Sequence, residues 1–164
     1  MSPNDRRHSG GGVIILSFVT AYVLTLIPLP AWAMFYRPEW GGLILIYWCL
    51  FLPQRVGVVG AWLVGLLMDA LTGAVLGQHA LAFALIAYIT LCWQRRLSQQ
   101  TIWQQAVNVL FLVALGQFLE AWVRGLDGQL MGGWRFWMPA VTSMLLWPWL
   151  SVVLRNIQQR FAVR

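Results

Sequence analysis

Long apolar runs separated by short polar breaks make up most of the chain: Val13 to Ile27, Gly41 to Leu52, Val56 to about Leu76, Ala80 to Trp93, Ile102 to Val123 and Trp137 to Leu154. A hydrocarbon core about 30 Å thick takes about 20 apolar residues per helix. The pattern therefore predicts an all-α integral membrane protein with six transmembrane helices in a single domain, at about 13–31, 39–53, 56–76, 79–94, 102–123 and 137–154 of residues 1–164. The second and fourth runs, Gly41 to Leu52 and Ala80 to Trp93, are shorter than a span and are expected to borrow turns from their flanks. Pro38 is expected in the first turn of the second helix, where its missing N–H costs nothing. Pro148, between Trp147 and Trp149, is expected to bend the last helix.

Composition agrees with a membrane chain: 60% of residues are hydrophobic, 10% are charged and the mean hydropathy is +0.69, against about 25% charged in soluble domains. All eleven basic residues are Arg and they stand at the ends of the apolar runs. That placement speaks for topology and against nucleic acid. Six spans put both termini on one side, with Arg6, Arg7, Arg55, Arg95, Arg96, Arg155, Arg160 and Arg164 there and Arg37, Arg124 and Arg135 opposite. The positive-inside rule then makes both termini cytoplasmic. Trp32, Phe35, Tyr36 and Trp40, with Trp122, Trp134 and Trp137, mark the outer interface. The longest outer connection, Arg124 to Arg135, holds Gly125, Gly128, Gly132 and Gly133. Arg6, Arg7 and Ala31-Trp32-Ala33 imitate a signal peptide, but the long run, Pro28 and Pro30 predict an uncleaved span. Cys49 and Cys92 lie inside apolar runs and are expected to be buried free thiols.

One carboxylate interrupts the third run, Asp69 in GLLMDALTG. Fourteen residues beyond Arg55 it stands about 21 Å along the helix, in the outer leaflet, where an ionised group facing lipid costs at least a few kcal/mol. Gly57, Ala61, Gly65, Asp69, Gly73 and Gly77 recur every four residues and form a groove of small side chains that admits another backbone. The first helix carries a matching row, Ser17, Ala21 and Thr25, whose hydroxyls could donate to Asp69. The expectation is that the first and third helices cross there, or that one row receives a partner helix. Asp69 itself reads as an interhelical acceptor or a cap where the helix breaks near Thr72 and Gly73, ahead of a proton carrier.

In the fifth helix Gln117, Glu120 and Arg124 follow one another at one-turn spacing, predicting a Glu120–Arg124 pair or an outer polar patch that meets a partner. Asn108 is expected to bond between helices. Catalytic chemistry is missing from the inventory. Without Lys there is no Walker A loop, so Gly10-Gly11-Gly12 is not a phosphate cradle. His8 and His79 fall on opposite sides, so no metal cluster or catalytic triad is expected, and His79 reads as a solvated turn residue. No catalytic, cofactor or metal residue is assigned.

Several stretches resemble the rod shape-determining protein MreD family: Tyr36-Arg37-Pro38-Glu39-Trp40, Tyr47-Trp48, Leu52-Pro53-Gln54-Arg55-Val56-Gly57-Val58, Gly65 to Gly73, Leu76-Gly77, Ala80-Leu81, Leu146-Trp147-Pro148-Trp149 and Gln159-Arg160-Phe161-Ala162-Val163. The resemblance covers nearly the whole chain in order. It implies a multi-pass inner-membrane subunit of the machinery that inserts side-wall peptidoglycan, similar in fold to the substrate-binding subunits of energy-coupling-factor transporters. Its implied partners are MreC, bound directly, with MreB, RodA and a class B penicillin-binding protein in the same complex. The alternative is a small-solute or lipid-binding transport subunit, which would need convergent polar groups in an apolar cavity; Asp69, Thr72, Glu120, Gln117 and Asn108 are the candidates.

Overall fold

The second helix is apolar on every side and holds the centre of the structure, a computed structural model that describes residues 9–126 and 133–161. Arg6, Arg7, His8, Gly128, Gly132 and Arg164, which figure in the topology argument, lie outside the described residues. Six helices run in order: α1 (Ser9–Leu26), α2 (Trp40–Phe51), α3 (Val58–Thr72), α4 (Gln78–Ser98), α5 (Ile102–Leu126) and α6 (Met138–Arg160). Short 3-10 turns, Met34–Tyr36 and Trp134–Trp137, precede α2 and α6. Two stretches, Ile102–Gly125 and Trp134–Arg160, are long and apolar enough to cross a membrane by length and composition.

Residues 41–50 of α2 are all buried, as expected of a helix without a polar face. α1, α4, α5 and α6 surround it, and α3 packs chiefly on α4. Gly41 lets α4 come close, since a Cβ there would lie 2.9 Å from the Phe83 ring. Trp48 of α2 donates its indole N–H to Ser17 Oγ of α1 at 2.8 Å. Tyr22 Oη ties α1 to α3 by donating to the Val64 carbonyl at 2.6 Å. On other sides of α2, Tyr47 Oη donates to Gln158 Oε1 of α6 and Gln94 Nε2 of α4 to the Leu50 carbonyl.

Several expectations change. α2 begins at Trp40 with Glu39 at its N-cap, so Pro38 sits before the helix and not in its first turn. The polar ends of the fourth run continue the helix, and α4 reaches 21 residues. Cys49 is buried, but Cys92 is exposed on the outer surface of α4. Asn108 bonds Gln100 Oε1 at 2.6 Å and the Gln104 carbonyl at 2.8 Å, closing the α4–α5 turn instead of bridging to a distant helix. Pro148 lies inside a continuous α6, and Ser151 Oγ donates back to its carbonyl at 2.9 Å.

Candidate functional site

The ends of α3 and α5 and the starts of α2 and α4 meet at one pole of the bundle, where most of the buried charge collects. The meeting begins with the α3–α4 turn. Gly73 terminates α3 at φ 65° and Gly77 opens α4 at φ 100°, both in the left-handed region that glycine enters without a Cβ penalty. Between them the chain reverses within a few residues and brings the first turn of α4 back onto Asp69.

Asp69 is 1% exposed. Its Oδ2 accepts the N–H of Gly77 at 2.8 Å and, more weakly, that of Ala80 at 3.4 Å, while Oδ1 accepts the N–H of His79 at 2.9 Å. These are the N–H groups that the first turn of a helix leaves without intrahelical partners. Asp69 therefore acts as the N-cap of the following helix, with its negative charge at the positive end of the α4 dipole. The expected donors from the first-helix hydroxyls are not used here: Ser17 Oγ and Thr25 Oγ1 donate to carbonyls of their own helix, Ile14 and Ala21.

The same turn fills the middle of the small-residue groove. A Cβ on Gly65 would lie 2.6 Å from Ala80 N and 2.7 Å from the His79 carbonyl, so α4 and not α1 makes the close approach. Ala61 is fully buried, whereas Cβ atoms on Gly57, Gly73 and Gly77 would meet nothing within 4 Å. In the first-helix row Ala21 is buried and Ser17 accepts from Trp48, which turns that row toward α2.

His79 is buried against Asp69, not solvated in a turn as its position after Gly77 suggested. Its Nδ1 lies 2.8 Å from Asp69 Oδ1, an oxygen that already accepts a backbone N–H. A carboxylate oxygen can only accept, so Nδ1 carries the hydrogen and Nε2 looks the other way, toward Glu120 Oε1 at 3.9 Å. Glu120 also meets Arg124, Nη2 to Oε2 at 3.4 Å, one turn along α5. The Gln78 amide oxygen accepts from Arg124 Nε and Nη2 at 2.8 and 2.9 Å, joining α4 to α5. Gln117, Glu120 and Arg124 thus share a face, but Gln117 and Glu120 are buried, and the face turns into the helix junction.

Glu39 completes the group. Its backbone N–H donates to Ser143 Oγ of α6 at 3.0 Å, and its carboxylate, the His79 ring and Glu120 each bring an atom within 4.8 Å of the others. Next to it, Arg37 Nη2 donates to the carbonyls of Leu24 and Ile27 at 2.9 and 2.8 Å, capping the end of α1. Sequence reasoning missed His79 as the partner of Asp69, and Glu39 as a neighbour of His79 and Glu120. The available signal was the spacing of His79 two residues after a helix-breaking Gly77, which puts it among the free N–H groups of α4.

A concavity of about 360 Å³ is lined by Trp32, Phe35, Tyr36, Trp134, Arg135 and Met138. Arg135 stacks over Phe35 at 5.4 Å and over Trp134 at 6.0 Å.

The sequence profile of the family described as rod shape-determining protein MreD matches residues 6–157. The chain belongs to this family. A rod shape-determining protein MreD from Haemophilus influenzae is 32% identical over 147 residues, covering 90% of this chain and 91% of the relative. No solved structure gave a significant match. As a member of the MreD family the chain is a membrane protein that determines rod shape, in a family not known for enzymes. The family stretch Tyr36 to Trp40 contains both the Arg37 cap of α1 and the Glu39 carboxylate, and the stretch Gly65 to Gly73 contains Asp69.

Proposed function

We propose that this chain is a non-catalytic scaffold of the side-wall elongation machinery, crossing the bacterial inner membrane six times with both termini in the cytoplasm. It binds MreC directly and so gathers MreB, RodA and a class B penicillin-binding protein into one complex. In this orientation the Asp69 pole faces the periplasm and the Arg55, Arg95 and Arg155 pole faces the cytoplasm. Family membership gives the reading its biological setting. The observation that carries the scaffold role is apolar surface left uncovered on α1 and on α3, beside an edge of α3 that is open to another backbone. Ile15, Leu16 and Val19 on α1, and Val59, Leu63 and Leu67 on α3, are exposed to about half or more of their surface. Beside them on α3, Gly57 and Gly60 leave room for an approaching backbone, the mode by which helices associate in lipid. Two of the polar groups that a solute pocket would use are spent within the chain: Asp69 caps α4, and Thr72 Oγ1 donates to the Met68 carbonyl.

Depletion in the bacterium that encodes the protein, followed by microscopy and co-purification, tests the proposal. Loss of rod shape, rescue by the wild-type gene and recovery of MreC with the purified chain are expected. Normal rods with a solute-uptake defect would overturn it in favour of a transport subunit, and rescue without MreC recovery would remove the scaffold mechanism.

A further inference from the structure

His79 Nε2 and Glu120 Oε1 face each other at 3.9 Å, beyond hydrogen-bond reach, while Nδ1 is held by Asp69. The Glu39 carboxylate enters the same space with no hydrogen bond or ion pair of its own among the described residues. Three carboxylates, those of Glu39, Asp69 and Glu120, are gathered around one imidazole, and the guanidinium of Arg124 meets the Glu120 carboxylate. Arg37, two residues from Glu39, is turned to the carbonyls of α1. A carboxylate without a bonded partner is expensive in such a place.

We propose that Glu39, His79 and Glu120 form a binding site for a divalent transition-metal cation, of which Zn²⁺ is the natural probe. Imidazole with carboxylates suits zinc and its first-row neighbours better than magnesium or calcium, which take oxygen alone. Two tetrahedral bonds from Zn²⁺, about 2.0 Å to nitrogen and about 2.1 Å to oxygen, hold their donor atoms about 3.4 Å apart, so roughly half an ångström of side-chain movement closes the gap from the 3.9 Å between Nε2 and Oε1. Glu39, whose carboxylate is bonded to nothing else, closes the wider separations of up to 4.8 Å by a change of rotamer. Asp69 then has a second role. A carboxylate that accepts Nδ1–H from a ligating histidine fixes its tautomer and aims Nε2 at the metal, and Asp69 is already in that position at 2.8 Å. One turn before Glu120, on the same face of α5, Gln117 holds a buried Oε1 without a hydrogen-bond partner. A cation here would join α2, α4 and α5 at one point, since each supplies a ligand.

The test uses the full-length chain, with any affinity tag removed, in lipid nanodiscs after extraction with EDTA. Zn²⁺ is titrated by calorimetry in the presence of excess Mg²⁺, with bound metal measured by mass spectrometry. One saturable Zn²⁺ per chain and a raised Tm are expected. Glu39→Gln and His79→Asn should each weaken binding by about tenfold or more; the Asn amide keeps a donor for Asp69 while removing the ligand nitrogen. Cys92→Ser and His8→Ala should bind as the parent does. Absence of saturable binding, binding unaffected by Glu39→Gln, or binding lost in Cys92→Ser or His8→Ala would overturn the assignment. Should His79→Asn fail to fold, Glu39→Gln decides, because its carboxylate holds no other contact. The proposal does not depend on the scaffold reading, and the two fail separately.

Discussion

Asp69 accepts the backbone N–H and the ring Nδ1–H of His79 on the same oxygen, at 2.9 and 2.8 Å. A single carboxylate at the end of α3 thereby caps α4, orients a buried imidazole and holds the α3–α4 turn closed. Replacing Asp69 with Leu removes every one of these acceptors and leaves buried N–H groups unpaired, with an expected loss of about 3–5 kcal/mol. Asp69→Asn keeps one acceptor oxygen and should lose about 1–3 kcal/mol. Unfolding in mixed micelles titrated with SDS measures both; equal stability of the two variants would contradict the capping role.

Gly65 and Gly60 belong to the same helix and predict opposite behaviour. A Cβ on Gly65 drives into the backbone of Ala80, so Gly65→Ala should destabilise the α3–α4 pair by about 1–3 kcal/mol. A Cβ on Gly60 meets nothing within 4 Å, and Gly60→Ala should be neutral or stabilising by up to about 1 kcal/mol. The same micelle assay compares them. The larger Gly60→Leu should leave the fold intact but reduce MreC co-purification if the open α3 edge receives the partner helix.

Backbone conformation sets a third expectation. Gly77 holds φ 100° while its N–H binds Asp69. Gly77→Ala should cost about 1–2 kcal/mol from the left-handed backbone. Gly57→Ala, at φ −92° with open space beside it, should be close to neutral.

Arg37 supplies a fourth. Its guanidinium satisfies the Leu24 and Ile27 carbonyls at the end of α1. Arg37→Ala should fray that end at a cost of about 1 kcal/mol, seen as faster amide exchange at residues 24–28, with α4 and α5 unaffected. Uniform loss of protection across the bundle would show that Arg37 holds more than the α1 terminus.

Much of this architecture was legible in the sequence because long apolar runs between short polar breaks favour helices. The helical class, the six apolar helices, the break at Gly73 and the Glu120–Arg124 pair all follow from spacing within one helix. What was not legible depends on which helices become neighbours. A four-residue row of small side chains says that a backbone comes close to Gly65 but not whose, and α1 with its hydroxyls looked as suitable as the α4 turn. His79 looked solvated because a polar residue after a turn glycine usually is; its burial follows from Asp69 needing the N–H groups around it. Glu39, His79 and Glu120 come from three helices across about 80 residues of chain, and no local pattern links them.

Rod-shape complementation by Asp69 variants tests most directly whether this pole is architecture or chemistry. In the encoding bacterium depleted of the wild-type protein, with variant abundance in the membrane measured alongside cell shape, Asp69→Asn should support rods and Asp69→Leu should give rounded cells with little protein in the membrane. Rounded cells containing Asp69→Asn at wild-type abundance would contradict the account, because the ionised carboxylate itself, and not the structure it caps, would then be what the cell requires.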